Sequence, residues 1–190
     1  VPYQGPYDRS GGTIEIRYAE GARITENPEG WKDWWDDDVV VPDPAEDAAR
    51  IAQAVAVAKG ADVALLVVGE NEAVCREGWS EQHLGDRDSL DLPGRQAEMV
   101  KAVAATGTPT VVLLLNGRPL SVGDAIAQVP AVLEGFYLGQ ATGTAVADVL
   151  FGDANPGGKL PITFPRNVGQ LPAYHYQKPS AKRGFLFSEI

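Results

Sequence analysis

Two short, uninterrupted apolar runs constrain what this chain can fold into more than any other feature: VALLVV at residues 63–68 and TVVLLL at residues 110–115. A strand with one wet face alternates apolar and polar residues, whereas a strand covered on both faces reads as a continuous run. Helical periodicity surrounds each run. Before the first, Asp43, Pro44 and Glu46 have the form of an N-cap, a first-turn proline and a capping-box acid. Ala48, Ile51, Ala52, Val55 and Ala58 then recur at helical spacing up to a stop at Gly60. Between the runs, residues 96–105 form a second amphipathic pattern ended by Gly107. Beyond them come a short helix around residues 124–128, a third strand at 131–136 and a further helix at 141–150. Strand alternating with helix predicts an α/β fold, a three-layer α/β sandwich with a mostly parallel sheet.

The first part of the chain is less regular. Residues 13–18 (TIEIRY) set Ile14, Ile16 and Tyr18 against Thr13, Glu15 and Arg17, which predicts a half-buried strand. Residues 21–42 hold Trp31, Trp34 and Trp35 beside the acidic run Asp36, Asp37, Asp38 and read as a long surface excursion. The expected organisation is one domain: residues 1–42 an irregular segment with one strand, residues 43–190 the sandwich.

Charge and cysteine usage exclude some classes. A net charge of −10 argues against a nucleic-acid partner, which needs basic surface. It leaves a neutral ligand such as a sugar open. Cys75 is the sole cysteine, so no intrachain disulfide is available. No stretch reaches the roughly 20 apolar residues that span a bilayer, so no membrane partner is expected. Residues 1–12 show no basic and apolar signal-peptide pattern. The compartment cannot be read. Gly157-Gly158-Lys159-Leu160 lacks the glycine and the Ser or Thr of a phosphate loop, and it precedes a strand-like Pro161-Ile162-Thr163-Phe164. The Asp36–Asp38 run lacks the spaced oxygen ligands of a cation loop. No cofactor and no metal are called for.

Parallel α/β sheets bind ligands beyond the carboxyl ends of their strands. That selects the loop after Val68, the Asn116-Gly117-Arg118-Pro119 turn and residues 137–140. The first is longest. Residues 69–93 read GENEAVCREGWSEQHLGDRDSLDLP, with Glu70, Glu72, Glu77, Glu81, Asp86, Asp88 and Asp91 among Arg76, Trp79, His83 and Arg87. A long connection in a compact α/β unit is usually functional or disordered. Carboxyl groups beside an aromatic face suit glycoside chemistry, where an acid protonates a leaving oxygen and an aromatic ring stacks on the sugar. From composition alone a solvated acidic loop is the favoured reading.

The motifs in order narrow this. Val67-Val68-Gly69-Glu70, Arg76-Glu77-Gly78, Gly85-Asp86-Arg87, Ser89-Leu90 and Leu92-Pro93-Gly94-Arg95-Gln96 are followed by Leu115-Asn116-Gly117-Arg118-Pro119 and residues 136–140. Ala147-Asp148-Val149-Leu150-Phe151-Gly152, Asn155-Pro156-Gly157-Gly158-Lys159-Leu160-Pro161, Thr163-Phe164-Pro165 and Gly169-Gln170-Leu171-Pro172 close the series. Over about residues 13–190 the chain resembles the C-terminal sandwich domain of family 3 glycoside hydrolases.

That resemblance implies retaining hydrolysis of terminal β-linked sugars, β-glucosidase activity foremost. The partners it implies are a β-linked oligosaccharide or an aryl or alkyl β-glycoside, and a (β/α)8 barrel domain carrying an aspartate nucleophile. Glu77 matches the position of the acid/base glutamate. Glu81, one helical turn on, is its main rival and otherwise a substrate-binding candidate, with Glu70 and Glu72 behind. Glu70 is expected to orient the loop or to bond backbone amides. Asp86 and Arg87 resemble a structural pair that pins the returning loop, with a substrate-binding role also open to Arg87. Trp79 walls the leaving-group subsite or packs the loop, and His83 and Cys75 are read as structural and incidental. Nothing in 190 residues resembles the barrel, so the chain reads as a fragment that lacks one carboxylate of the pair. The rival class is a non-catalytic domain that binds sugar or packs against a partner.

Overall fold

Three parallel strands, β1 (Ala64–Gly69), β2 (Thr110–Leu115) and β3 (Ala131–Glu134), lie in that order in one sheet. The computed structural model describes residues 13–26, 39–75, 77–78 and 86–176. Around the sheet lie α1 (Pro44–Lys59), α2 (Glu72–Cys75), α3 (Gln96–Ala104), α4 (Gly123–Ile126) and α5 (Thr142–Leu150), with 3-10 turns at Gly139–Ala141 and Val168–Gln170. The α/β architecture expected from the alternation is present.

Register places the core. Ala64, Leu66 and Val68 sit beside Thr110, Val112 and Leu114, so these six share one face of the sheet. The apolar ones join Ile51, Ala54 and Ala58 of α1, Met99, Val100 and Val103 of α3, and Leu120, Val122 and Ala125 in one buried cluster. Val100 and Val112 are fully buried, and each such side chain contributes about 1.5–3 kcal/mol of apolar burial. The opposite face is less covered: Leu113 is buried, Leu65, Val111 and Leu115 are half-buried, and Val67 is exposed.

Local chemistry sets the helix ends. The Asp43 carboxylate accepts from the main-chain N–H groups of Ala45 and Glu46 at 2.7 and 3.3 Å, meeting two of the orphan donors of α1. Glu46 pairs with Arg50 at 2.8 Å. The buried face of α1 runs Asp47, Ile51, Ala54, Ala58, while Ala48 and Ala52 are exposed. Alanine is small enough for either side of a helix, so apolar spacing built on it misplaces the face. Buried Asp47 accepts from Arg50 at 2.8 Å and from the Arg23 main-chain N–H at 3.2 Å, which ties the early segment to α1.

Three expectations need correction. Residues 13–18 form no strand: Ile14 and Tyr18 are exposed, and the Arg17 guanidinium donates to the Gly60 carbonyl at 3.0 Å. Alternation supplies a face but not the neighbouring strand a ladder requires, and none of the described strands takes that place. β3 stops at Glu134, because Phe136 takes φ +48 and its N–H turns to Glu134 Oε1 at 2.8 Å. Residues 161–164 are irregular, and Phe164 packs its ring against Phe136 at 6.2 Å between centroids. The tryptophan cluster and Asp36–Asp38 lie outside the described residues.

Candidate active-site loop

The loop begins where β1 leaves the sheet. Gly69 has φ +146, and a Cβ there would stand 1.9 Å from the Leu115 carbonyl oxygen, so only glycine fits. Gln96, buried at the start of α3, accepts from the Gly69 N–H at 2.9 Å and donates to the carbonyls of Gly69 and Pro93 at 2.8 and 3.0 Å. One amide thus closes the base of the loop, joining its first residue to its last.

Glu70 follows. Its N–H extends the ladder to Leu115 O at 2.9 Å, which turns the side chain inward, and that side chain is fully buried. Two guanidinium groups meet its carboxylate: Arg87 Nη1 donates to Oε1 at 2.7 Å, and Arg118 Nε stands 3.4 Å from Oε2. Burial pushes the Glu70 carboxyl up from its ordinary value, while Arg118 and Arg87 pull it back. Each arginine spends its other arm on a main-chain carbonyl of the loop, Arg118 on Cys75 and Arg87 on Asp91. A single buried carboxylate therefore governs both the outgoing and the returning arm.

Two other strand ends join in. Arg118 lies on the turn after β2, and Tyr137 on the connection after β3. The Tyr137 hydroxyl sits 3.0 Å from Cys75 Sγ, and burial together with that thiol pushes it above its usual value, so it stays neutral. A Cβ at Gly117 would stand 2.9 Å from the Tyr137 ring, so glycine there admits the ring. Glu134 points to the same edge of the sheet. Burial raises its carboxyl, opposed by the Phe136 N–H and by Asn116, and its Oε2 has no hydrogen-bond partner among the described residues.

The expected site residues distribute as follows. Glu77 is exposed, two residues beyond the anchored Cys75, and Gly78 beside it is half-buried. Arg87 is half-buried against Glu70. Trp79, Glu81 and His83 lie outside the described residues. Glu70 and Arg87 are brought together, and Arg118, Tyr137 and Gln96 were not singled out from sequence. The carboxyl-end rule did mark the turns that carry Arg118 and Tyr137, and it was the available signal for both. Among the described residues no three His, Cys, Asp or Glu side chains converge as a metal site requires, and no helix is long and apolar enough to cross a membrane.

A parallel α/β domain with an acidic loop clasped at its carboxyl edge is the class that fold and site define. The profile of the Glycosyl hydrolase family 3 C-terminal domain matches residues 7–189, and the chain belongs to that family as its C-terminal domain. It is 44% identical over 167 residues to a periplasmic beta-glucosidase of Salmonella typhimurium, a match covering 87% of this chain and 21% of that protein. It is 45% identical over 141 residues to a beta-xylosidase of Formosa agariphila, covering 72% of this chain and 19% of that one. The solved structure of a beta-glucosidase from Erythrobacter marinus superposes with a TM-score of 0.87 at 42% identity, over 95% of this chain and 25% of that chain. The chain therefore spans about a fifth of the length of the curated relatives it matches.

Proposed function

We propose that this chain supplies the acid/base half of a retaining β-glycosidase active site, with β-glucosides the favoured substrates and Glu77 the acid/base. The observation that carries the reading is the placement of Glu77: exposed, on a loop anchored at the carboxyl edge of a parallel sheet, in a domain of the family to which β-glucosidases and β-xylosidases belong. The chemistry needs two carboxyl groups. In the first step an aspartate of a barrel domain outside this chain attacks the anomeric carbon, the glycosidic bond breaks, and the Glu77 proton passes to the departing oxygen. In the second, Glu77 takes a proton from water as its oxygen attacks the same carbon, releasing the sugar with its configuration retained and the aspartate free. The two carboxyl groups must then face each other at about 5–5.5 Å across the domain boundary. Exposure of Glu77 in this domain suits a group that a second domain covers.

The same exposure favours a second reading, in which the domain binds sugar or packs against its partner without supplying a catalytic group. Kinetics separate the two. In the complete enzyme, Glu77→Ala should lower kcat/KM on methyl β-glucoside, whose leaving group needs a proton, by about 10²–10⁴-fold, the range of a lost general acid. Unchanged turnover with normal folding moves the role to Glu81 or supports the second reading.

A further inference from the structure

We propose that Arg118 and Glu70 are positioning residues for catalysis, fixing the loop arm that carries Glu77; the inference rests on the reading of Glu77 as the acid/base. The arrangement is a relay of two contacts and a two-residue step along the chain. Buried Glu70 holds Arg118 through Oε2 at 3.4 Å, Arg118 donates to the Cys75 carbonyl, and Glu77 follows two residues later. Cys75 is gripped from a second side, its Sγ 3.0 Å from the Tyr137 hydroxyl. It is the last described residue before Glu77 whose main chain is held by another element. On the returning arm Arg87 repeats the device between Glu70 Oε1 and the Asp91 carbonyl.

The choice of residues argues for placement rather than simple packing. An apolar side chain at the end of β1 would fill the space without the cost of burying a carboxylate. A carboxylate with two guanidinium forks gains direction instead: a planar fork fixes two partners at once, which neither an apolar contact nor a lysine ammonium does. Among the described residues these ties flank Glu77 on both sides, at Cys75 before it and at Arg87 and Asp91 after it. Proton transfer to a leaving oxygen depends on placement, and misplacement of a catalytic group by about 1 Å can cost about 10²-fold.

The test uses the complete enzyme and two β-glucosides, one with a 2,4-dinitrophenyl leaving group that departs without protonation and one with a methyl group that needs it. The ratio of the two kcat/KM values reports acid assistance in the first step, and it does not depend on how much of a preparation is folded. Arg118→Lys keeps the charge and the stem but cannot span Glu70 and the Cys75 carbonyl together. We expect it to lose about 30- to 100-fold on the methyl glucoside and less than about threefold on the dinitrophenyl one. Glu70→Gln, which keeps the shape, should shift the ratio in the same direction. Equal losses on both substrates, or none, would overturn the proposal. Glu77→Ala run alongside separates the two readings: a ratio shift there without one in the Arg118 variant defeats the positioning role alone. The absence of a shift in Glu77→Ala defeats the acid/base reading itself.

Discussion

Glu70 follows β1 and Glu134 ends β3, so both outer strands of the described sheet bring a carboxyl group to its carboxyl edge. Burial pushes both upward. Their surroundings differ. Glu70 has two guanidinium groups against it, and those groups reach on to the main chain of the loop. Glu134 has one main-chain N–H and the Asn116 amide but no ion pair among the described residues; each carboxylate keeps an Oε2 without a hydrogen-bond partner there, and only that of Glu70 faces a cation, Arg118 Nε at 3.4 Å. A buried carboxylate is costly unless charge and hydrogen bonds compensate it. With paired charge it becomes an anchor from which a long loop is built; with hydrogen bonds alone it is a group the fold tolerates. The loop that carries Glu77 stands at the charge-paired end.

Substitutions should break this contrast in a graded way. Glu70→Ala should be the most damaging, costing about 3–5 kcal/mol in urea unfolding, because it leaves Arg87 and Arg118 without their buried counter-charge. Gln96→Ala should cost about 2–4 kcal/mol by the same measurement, since it strips partners from the Gly69 N–H and from the Gly69 and Pro93 carbonyls.

Glu134→Gln should behave in the opposite sense. The folded carboxyl sits above its ordinary value of 4.5, so the protonated form is the one the fold prefers. Its contribution is therefore complete below that value and is lost as pH rises through the folded pKa. The glutamine variant should melt close to wild type in acid and above it near neutrality, by about 1 kcal/mol, the order of one unmet buried acceptor. A thermal melt series across pH checks this, and a constant difference would show that the fold does not raise the Glu134 carboxyl. The smallest effect belongs far from the edge. Asp43→Ala, removing the exposed cap of α1, should cost about 0.5–1 kcal/mol in the same melts and leave glycoside turnover unchanged.

Much of the frame was legible in the sequence because continuous apolar runs and cap residues are local signals. β2 occupies the residues of its run, β1 is displaced by one, and Asp43 caps α1 as its chemistry suggests. What escaped depends on partners distant in sequence. The TIEIRY alternation could not report whether a neighbouring strand exists, and the left-handed turn at Phe136 shortened β3 against its apolar pattern. At the site, Glu70 and Arg87 stood in one legible loop. Arg118 and Tyr137 reach it only because parallel register brings the ends of β1, β2 and β3 side by side. The carboxyl-end rule marks those turns, but not which of their side chains reach the loop.

The most direct test of the central claim is azide rescue of Glu77→Ala in the complete enzyme on 2,4-dinitrophenyl β-glucoside. The small anion needs no general base to attack the glycosyl-enzyme, so it substitutes for water where the missing carboxylate cannot activate it. The account predicts that azide restores turnover and that the product is the β-glucosyl azide, of retained configuration. Turnover indifferent to azide, or a product of inverted configuration, would contradict the assignment of Glu77 as the acid/base of a retaining enzyme.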